Sequence, residues 1–303
     1  MTTKIGTHSG SFHADEVLGV SVLRTVLAAQ GIETQLIRSR DAAVLAECDY
    51  LVDVGGVYDV AAHRFDHHQK GFAERRDSGL PYAGAGLVWR TYGAAFVQAV
   101  YPQASAEMAE TVAQIIDSQF IAWADAVDNG VDVDGPIAFG FSSMISRFNG
   151  TWLEVRAAEE DDARFEMACQ FADPVLRNLV RDTVAEQLAR QVVMQAPVLA
   201  EGRIVVLDQP RLPFDDVIVN EMPAVLFVVY PESSGQQYQV RVVLKKLGSF
   251  DARQDLPAAW GGLRGADLAA VSGVSDAVFC HNGLFIAGAL SKEGAIALAM
   301  NAL

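Results

Sequence analysis

The sequence predicts an α/β protein with an N-terminal parallel βαβ sheet domain and a smaller C-terminal α+β domain. Strand-like and helix-like patterns alternate over the first 54 residues, which is typical of a parallel sheet with helices on both faces. After residue 203 the pattern changes to short strands separated by prolines. The length of 303 residues, 51% of them hydrophobic, suits about two domains with a sizeable core.

The N-terminal elements are predicted from the spacing of apolar residues. They are a strand, a helix, a strand, a short helix and a buried strand, over residues 4–8, 14–30, 32–38, 41–47 and 50–54. Gly31 ends the first helix in the position that glycine favours. In parallel sheets ligands bind beyond the carboxyl ends of the strands. His8 and Asp53 both stand at predicted strand ends, so one crevice is expected to hold both.

Helices dominate the middle of the chain and strands its last third. The predicted helices cover residues 83–100, 105–127 and 152–195. The predicted strands cover residues 204–207, 225–230, 238–244 and 278–281, and a helix over 292–302 closes the chain. These patterns predict an N-terminal domain over residues 1–135, a helical connector over 136–200 and a C-terminal domain over 201–303.

The charge balance and the cysteines exclude some classes of function. The chain carries 38 acidic and 23 basic residues, a formal net charge of −15, and such a surface repels polyanions. Broad duplex binding is therefore not expected, whereas an enzyme that grips a short stretch of nucleic acid is left open. The three cysteines form no CxxC pair, so neither a zinc ribbon nor a disulfide framework is expected. With no secretory signal or membrane span recognised, a cytoplasmic protein without membrane contact is expected.

The first chemistry-bearing motif lies at the predicted strand-to-helix turn. His8, His13 and Asp15 have the spacing His-x4-His-x-Asp there. Imidazole nitrogen together with carboxylate oxygen suits Mn²⁺, Zn²⁺ or Fe²⁺ better than Mg²⁺. Two polar loop histidines and an acid near a helix N-terminus are the simpler alternative for this motif alone.

Two more motifs follow along the same domain. Asp53 comes after apolar strand residues, where a carboxylate is costly to bury without a partner, although a loop cap is the ordinary alternative. Asp66, His67 and His68 stand together. One histidine can ligate a metal while the other contacts substrate and Asp66 orients a ring. A solvated polar loop is the alternative for this run.

The fourth motif is a pair of aspartates near a predicted helix end. Asp125 and Asp128 are three residues apart on one helix face, where two carboxylates repel each other without a cation. A tight turn is the alternative, but acids disfavour helix C-termini. The four motifs together supply at least six nitrogen or oxygen ligands, which is what a two-metal site requires.

The order of these motifs resembles that of the DHH phosphoesterase superfamily. The superfamily usually begins with His-x4-Asp-x-Asp, whereas His13 stands here in place of the first aspartate. This departure is similar to the melanocyte-proliferating-gene exonuclease family, a family of metal-dependent hydrolases. So are the runs Val-Asp-Val-Gly-Gly at 52–56, Asp-His-His-Gln at 66–69 and Asp-Ala-Val-Asp-Asn-Gly at 125–130. The resemblance continues through residues 260–265 and 279–281, so it covers essentially the whole chain.

The resemblance implies a dinuclear site of the manganese type on an N-terminal domain of the DHH-phosphoesterase kind. Asp53 would bridge the two metals. The other ligands would be His8, His13, Asp15, His67 and either Asp125 or Asp128. His68 and Asp66 would act with Asp53 in the catalytic step, His68 by weak ligation or by contacting the phosphate. Mg²⁺, Zn²⁺ and Fe²⁺ stay alternatives to Mn²⁺, because His13 removes one negative charge from the usual set.

A basic segment stands out in the C-terminal domain. Residues 236–265 hold five basic against two acidic side chains. The resemblance implies that this domain closes over the substrate, and the charge fits a phosphate-binding lobe. The expected substrate contacts are Arg241, Lys245, Lys246, Arg264 and His281. An ordinary fluctuation of surface charge is the alternative.

The function expected from these residues is that of a metal-dependent phosphodiesterase, a 3′→5′ exonuclease acting on RNA or short oligonucleotides. Two alternatives are left open. One is hydrolysis of pyrophosphate, a cyclic dinucleotide or another small phosphoester, and the other is a metal-binding regulatory module without turnover. A homo-oligomer is also left open.

Overall fold

The computed structural model describes residues 2–131, 140–154 and 157–303. The chain divides into two compact units, Met1–Ala185 and Glu186–Leu303. Each unit has a sheet of its own, five-stranded in the first and six-stranded in the second. The domain boundary predicted after residue 135 lies outside the described residues, and the three-part division stays a proposal.

The sheet of the first unit is mostly parallel, as predicted. Its strands are Thr3–Thr7 (β1), Thr34–Arg38 (β2), Tyr50–Val52 (β3), Tyr58–Asp59 (β4) and Arg64–Phe65 (β5). They lie in the order β2-β1-β3-β5-β4, with β4 antiparallel to β5 and the other pairs parallel. The carboxyl ends of β1, β3 and β5 therefore meet at one edge of the sheet.

Helices connect these strands and continue beyond them. The first are Ala14–Ala29 (α1), Ala42–Ala46 (α2), Gly84–Val100 (α3) and Ala106–Ile116 (α4). A π-helical turn, Asp117–Ile121, leads into Ala122–Asp128 (α5), which is followed by Phe141–Ser146 (α6) and Ala158–Gln195 (α7). The helix predicted over 105–127 is found over residues 106–128, with the π-helical turn between its two α-helical parts. The long helix begins at Ala158 rather than at residue 152 as predicted.

Helix α1 packs closely against the sheet and carries Asp15 to its edge. Its residues from Ala14 to Leu23 are all buried. A Cβ added at Gly19 would lie 2.6 Å from Cγ1 of Val52, so glycine allows the close approach of α1 to β3. Large apolar side chains of α1, α3 and α7 form the core of this unit with those of the sheet. The start of α1 is thereby held next to the end of β3.

The second unit has the mixed α+β character that the sequence predicts. Its strands are Val198–Leu199 (β6), Ile204–Val206 (β7), Phe227–Pro231 (β8), Tyr238–Val242 (β9), Ala277–Cys280 (β10) and Ile286–Ala289 (β11). Their order is β10-β11-β9-β8-β7-β6, with β7 and β8 parallel and the other pairs antiparallel. Its other helices are Asp215–Glu221 (α8), Gly265–Ser272 (α9) and Lys292–Asn301 (α10), with a 3-10 turn at Ala258–Trp260. Among all described helices, none combines the length and the apolar character needed to cross a membrane.

Candidate metal centre

Parallel strands bring several functional side chains to the same edge of the first sheet. His8 follows β1 directly, Asp53 follows β3 and Asp66 follows β5. These residues line a cleft of about 750 Å³. The cleft is also lined by His13, Asp15, Arg40, His68, Asp128 and three serines of α6, Ser142, Ser143 and Ser146. His8 and Asp53 share one crevice, as their predicted positions at strand ends require.

Asp53 lies at the centre of a histidine cluster. Its Oδ1 is 3.3 Å from Nε2 of His67 and 3.2 Å from Nδ1 of His68. Its Oδ2 is 3.4 Å from Nε2 of His8. The backbone of Asp53 has a φ of 53°, which is uncommon outside glycine and is often kept at functional sites. The two oxygens of the Asp53 carboxylate thus contact different imidazoles, Oδ2 that of His8 and Oδ1 those of His67 and His68.

Asp128 and Asp15 stand on the other side of His67. Oδ2 of Asp128 is 3.2 Å from Nε2 of His67. The Asp15 carboxylate accepts hydrogen bonds from the backbone N–H groups of Gly84 and Ala85 at the start of α3, at 2.9 and 2.5 Å. This carboxylate is fully buried, and its orientation is set by the helix that it caps.

Asp125, the other candidate of the fourth motif, is engaged elsewhere. Its Oδ1 accepts a hydrogen bond from the N–H of Gly86 at 3.0 Å, and its Oδ2 is 2.9 Å from Nη1 of Arg76. Arg76 also makes a two-pronged pair with Asp117 and stacks on Tyr82. Within the described ranges, Asp128 and not Asp125 joins a group of potential metal ligands.

Glu16 belongs to the cluster although the sequence reasoning did not select it. Its Oε1 is 2.8 Å from Nε2 of His8 and accepts a hydrogen bond from the N–H of His13 at 3.0 Å. The side chain is completely buried. The available signal was the composition of α1, whose neighbouring residues are nearly all apolar, because an acid inside such a helix must face a polar partner.

Asp66 is hydrogen-bonded to His68. Its Oδ1 accepts hydrogen bonds from the backbone N–H and from Nδ1 of His68, at 3.0 and 2.9 Å. Its Oδ2 accepts the N–H of Gly56 at 2.5 Å, which ties the glycine loop after β3 to the same carboxylate. Asp66 is buried while 62% of the His68 side chain is exposed, so the ring is fixed at the cleft surface.

The potential ligand atoms form three overlapping groups. These are His8 with His13 and Glu16, Asp53 with His67 and His68, and Asp15 with His67 and Asp128. Within each group the ligand atoms lie within 4.8 Å of one another. Imidazole and carboxylate are the ligands that Mn²⁺, Fe²⁺ and Zn²⁺ accept together. The first two groups adjoin through the contact between His8 and Asp53, and the last two share His67.

Buried atoms without hydrogen-bond partners test whether a cation fits. In the described part of the chain these include Oδ1 of Asp53, Nε2 of His67 and Oε2 of Glu16. Nε2 of His67 is close to two carboxylate oxygens, yet neither contact has the direction of a hydrogen bond. Buried polar atoms are seldom left unpaired, and two of these, Oδ1 of Asp53 and Nε2 of His67, lie 3.3 Å apart in one group of potential ligands. The residues therefore fit a divalent cation.

The pKa values in the cluster show that its carboxylates favour a positive charge beside them. Burial lowers the pKa of His8, but Asp53 and Glu16 outweigh it and raise the pKa to about 10. Burial likewise opposes Asp128 and Asp53 at His67, where the pKa rises to about 10. Burial, which acts against the ionised form, is outweighed at Asp53, where three imidazoles hold the pKa below its usual range.

Asp15 and Asp125 show the opposite shift. Burial, with the nearby carboxylates of Asp53 and Asp128, raises the pKa of Asp15 well above its usual value. Burial also raises the pKa of Asp125 to about 7, although Arg76 opposes it. A fully buried acid beside other acids favours its protonated form, and a cation bound beside it would favour ionisation.

The residues predicted to contact substrate lie in the second unit. Lys245, Lys246 and Arg264 are exposed, and Lys245 and Lys246 precede a fully exposed Phe250 in the same loop. Nδ1 of His281 accepts the N–H of Gly283 at 2.9 Å.

Two arginines of the basic segment have partners within their own unit. Arg241 pairs with Asp215 at 3.0 Å. Arg253 donates to four backbone carbonyls of residues 218–225 and therefore supports the fold. The local positive charge is thus smaller at the surface than the sequence count indicates.

Comparison with known proteins gives matches over nearly the whole chain. The model of MYG1_exonuc, an uncharacterised protein family (UPF0160), matches residues 4–303. The MYG1 protein C27H6.8 of Caenorhabditis elegans is 34% identical over 100% of this chain and 96% of its own length. The MYG1 exonuclease of Homo sapiens is 32% identical over 98% of this chain and 84% of its own length.

Solved structures give a weaker likeness. An exonuclease RecJ bound to manganese is 17% identical, with 99% of this chain and 89% of that chain covered. The TM-score of 0.26 is too low to carry an argument.

Proposed function

This chain belongs to the MYG1_exonuc family (UPF0160), and we propose that it is a metal-dependent phosphodiesterase, a 3′→5′ exonuclease on RNA or short oligonucleotides. The observation that carries the proposal is the position of Asp53, whose two oxygens face His8 on one side and His67 and His68 on the other. A carboxylate so placed can be shared by two cations. The names of relatives such as the human MYG1 exonuclease support the nuclease class.

The proposed ligands are those that adjoin Asp53. They are His8, His13, Asp15, Glu16, His67 and Asp128, with Mn²⁺ as the proposed ion. Two divalent cations supply charge stabilisation at the phosphoryl oxygens and ease the deprotonation of water. Asp125, held by Arg76 and Gly86, is proposed to position α5 rather than to ligate.

The chain's own residues would orient the reacting groups. Asp66 fixes the exposed ring of His68 at the cleft surface, where it is proposed to donate a hydrogen bond to a phosphate oxygen. Water adds to phosphorus, the bond from phosphorus to the 3′ oxygen breaks, and that oxygen takes up a proton. The products are a 5′-mononucleotide and an oligonucleotide shortened by one residue at its 3′ end. Lys245, Lys246, Arg264, His281 and Arg241 are proposed to contact the substrate.

Hydrolysis of a small phosphoester is the second candidate, because a cleft of about 750 Å³ is of ordinary size for a small ligand. A panel of pyrophosphate, a cyclic dinucleotide, a linear dinucleotide and an oligoribonucleotide separates the candidates by the ratios of kcat/KM. A regulatory module without turnover would bind Mn²⁺ and hydrolyse none of them. A cytoplasmic location and a homo-oligomer stay predictions of the sequence.

The direct test uses an oligoribonucleotide labelled at either end. We expect Mn²⁺-dependent release of mononucleotides from the 3′ end and loss of at least about a hundredfold in kcat for Asp53→Asn. Asp77→Asn, at an exposed site outside the cleft, is the matched control. Undiminished hydrolysis in chelator, or in the Asp53 variant, would contradict the proposal.

A further inference from the structure

A second cavity adjoins the metal cleft. It has a volume of about 340 Å³ and shares Arg40, Val54 and Gly55 with the cleft. Its remaining lining is Ala42, Leu45, Ala46 and Leu51. The two cavities are therefore neighbours, with Arg40 and the Val54–Gly55 loop between them.

Most of the side chains that line this cavity are aliphatic, and backbone atoms and Arg40 supply the polar part of its surface. Apart from Arg40, no side chain that lines it carries a hydrogen-bonding group. Leu45 and Leu51 are buried and pack with Cys48 in a small cluster of their own. Their packing holds this side of the cavity in place. Aliphatic side chains of this kind can contact the apolar face of a ligand, and apart from Arg40 they offer it no side-chain hydrogen bond.

Arg40 stands where the apolar cavity meets the cleft. Its Nε donates to the carbonyl of Ser9 at 3.1 Å, and its Nη2 is 3.1 Å from Nδ1 of His8. These contacts hold the guanidinium beside the proposed ligands while the residue stays exposed. A guanidinium has five N–H donors in a planar fork that suits phosphate.

We propose that the 340 Å³ cavity holds the nucleobase of the substrate's terminal nucleotide and that Arg40 contacts the phosphate attached to it. The inference rests on the proposed function for its choice of ligand. A nucleotide has a phosphate at one end and a base with an apolar face at the other. Arg40 would contact the phosphate, and the aliphatic side chains of the cavity would contact the base. Because the aliphatic side chains of the cavity offer only apolar contact, we expect it to accept any of the four bases.

The test is equilibrium binding of uridine 5′-monophosphate and of ribose 5-phosphate, which has the same sugar and phosphate but lacks the base, to the full chain saturated with Mn²⁺. Calorimetry compares the native protein with Ala46→Trp, which fills the cavity, and with Ala43→Trp on the same helix. Ala43 is exposed and does not line the cavity, so it is the matched control. Arg40→Gln is measured with both ligands.

We expect the native protein and Ala43→Trp to bind the nucleotide about tenfold more tightly than the sugar phosphate. Ala46→Trp should remove that difference, and Arg40→Gln should weaken both ligands alike. Equal binding of the two ligands to the native protein, or identical behaviour of the two tryptophan variants, would overturn the proposal. Binding is measured without turnover. A protein that binds both ligands as expected but hydrolyses no phosphodiester would therefore contradict the proposed function and still support the assignment of this cavity.

Discussion

Asp53 keeps its charge in a buried position because three imidazoles surround it. Burial alone would raise its pKa, yet the histidines hold the pKa below the usual range. The sequence indicated Asp53 because it follows an apolar strand. The sheet topology explains why a residue in that place lies in the cleft. Parallel strands end at the same edge, so a polar residue at each strand end reaches the same crevice.

The two aspartates of the fourth motif can be separated by mutation. Asp128→Asn should weaken Mn²⁺ binding by about a hundredfold or more, because it removes a proposed ligand beside His67. Asp125→Asn should instead lower the free energy of unfolding by about 2 kcal/mol, because it removes one of the two carboxylates that pair with the buried Arg76. Calorimetric titration with Mn²⁺ and denaturant unfolding of the metal-free protein distinguish the effects. The reverse pattern would show that Asp125 is the ligand.

The sequence could not choose between these aspartates. Residues three apart in a helix point only about 60° apart around its axis, so both fit one face. The choice depends on Arg76, which is 49 positions before Asp125 and reaches it only through the fold. Glu16 was overlooked for a similar reason, since its partner His8 lies in another element.

The π-helical turn Asp117–Ile121 is the element that departs most clearly from prediction. Such turns have no compositional signature and are frequent near functional sites. Here the turn begins at Asp117, whose two oxygens bind Arg76, and α5 follows it directly with Asp125 and Asp128. The strands β4 and β5 were also not predicted, because two residues of alternating pattern cannot be told from a loop.

The close packing of α3 against α5 at Gly86 predicts the effect of a larger side chain there. A Cβ added at Gly86 would lie 1.8 Å from Oδ2 of Asp125 and 2.5 Å from Nη2 of Arg76. Gly86→Ala should therefore displace the buried ion pair and lower the free energy of unfolding by about 3 kcal/mol. The same substitution at Gly150, where the nearest atoms are 3.6 Å away, is the control. Equal stability of the two variants in urea would refute this account of the contact.

Part of the net charge of −15 lies around the candidate metal centre of the first unit. Five acids, Asp15, Glu16, Asp53, Asp66 and Asp128, belong to the centre or support it. Bound cations would offset part of their charge, so the overall figure overstates the repulsion of a phosphorylated ligand at the cleft. The acidity still opposes broad duplex binding, as expected from the sequence.

Metal binding should be linked to pH and to the stability of the whole chain. His8 and His67 have pKa values of about 10 without metal, above the ordinary 6.5, so their protons stabilise the metal-free fold at low pH. That contribution is lost as the pH rises through about 10. Metal must displace these protons, so affinity for Mn²⁺ should increase by up to about a hundredfold from pH 7 to pH 8.

Unfolding in denaturant with and without Mn²⁺ measures this linkage. At a Mn²⁺ concentration of about a hundred times the Kd of a site, each bound ion should add about 2.7 kcal/mol to the free energy of unfolding. At one fixed concentration the increment should grow with pH, and chelator should abolish it. An increment that is the same at pH 6.5 and 8.5 would contradict the proton displacement.

The number and position of the bound ions test the central claim most directly. A crystal structure of the Mn²⁺-saturated protein, with anomalous data at the manganese edge, locates each ion without reference to activity. We expect two ions about 3.5–4 Å apart with the Asp53 carboxylate between them. A single ion bound away from Asp53, or no ion under metal-replete conditions, would contradict the two-metal account.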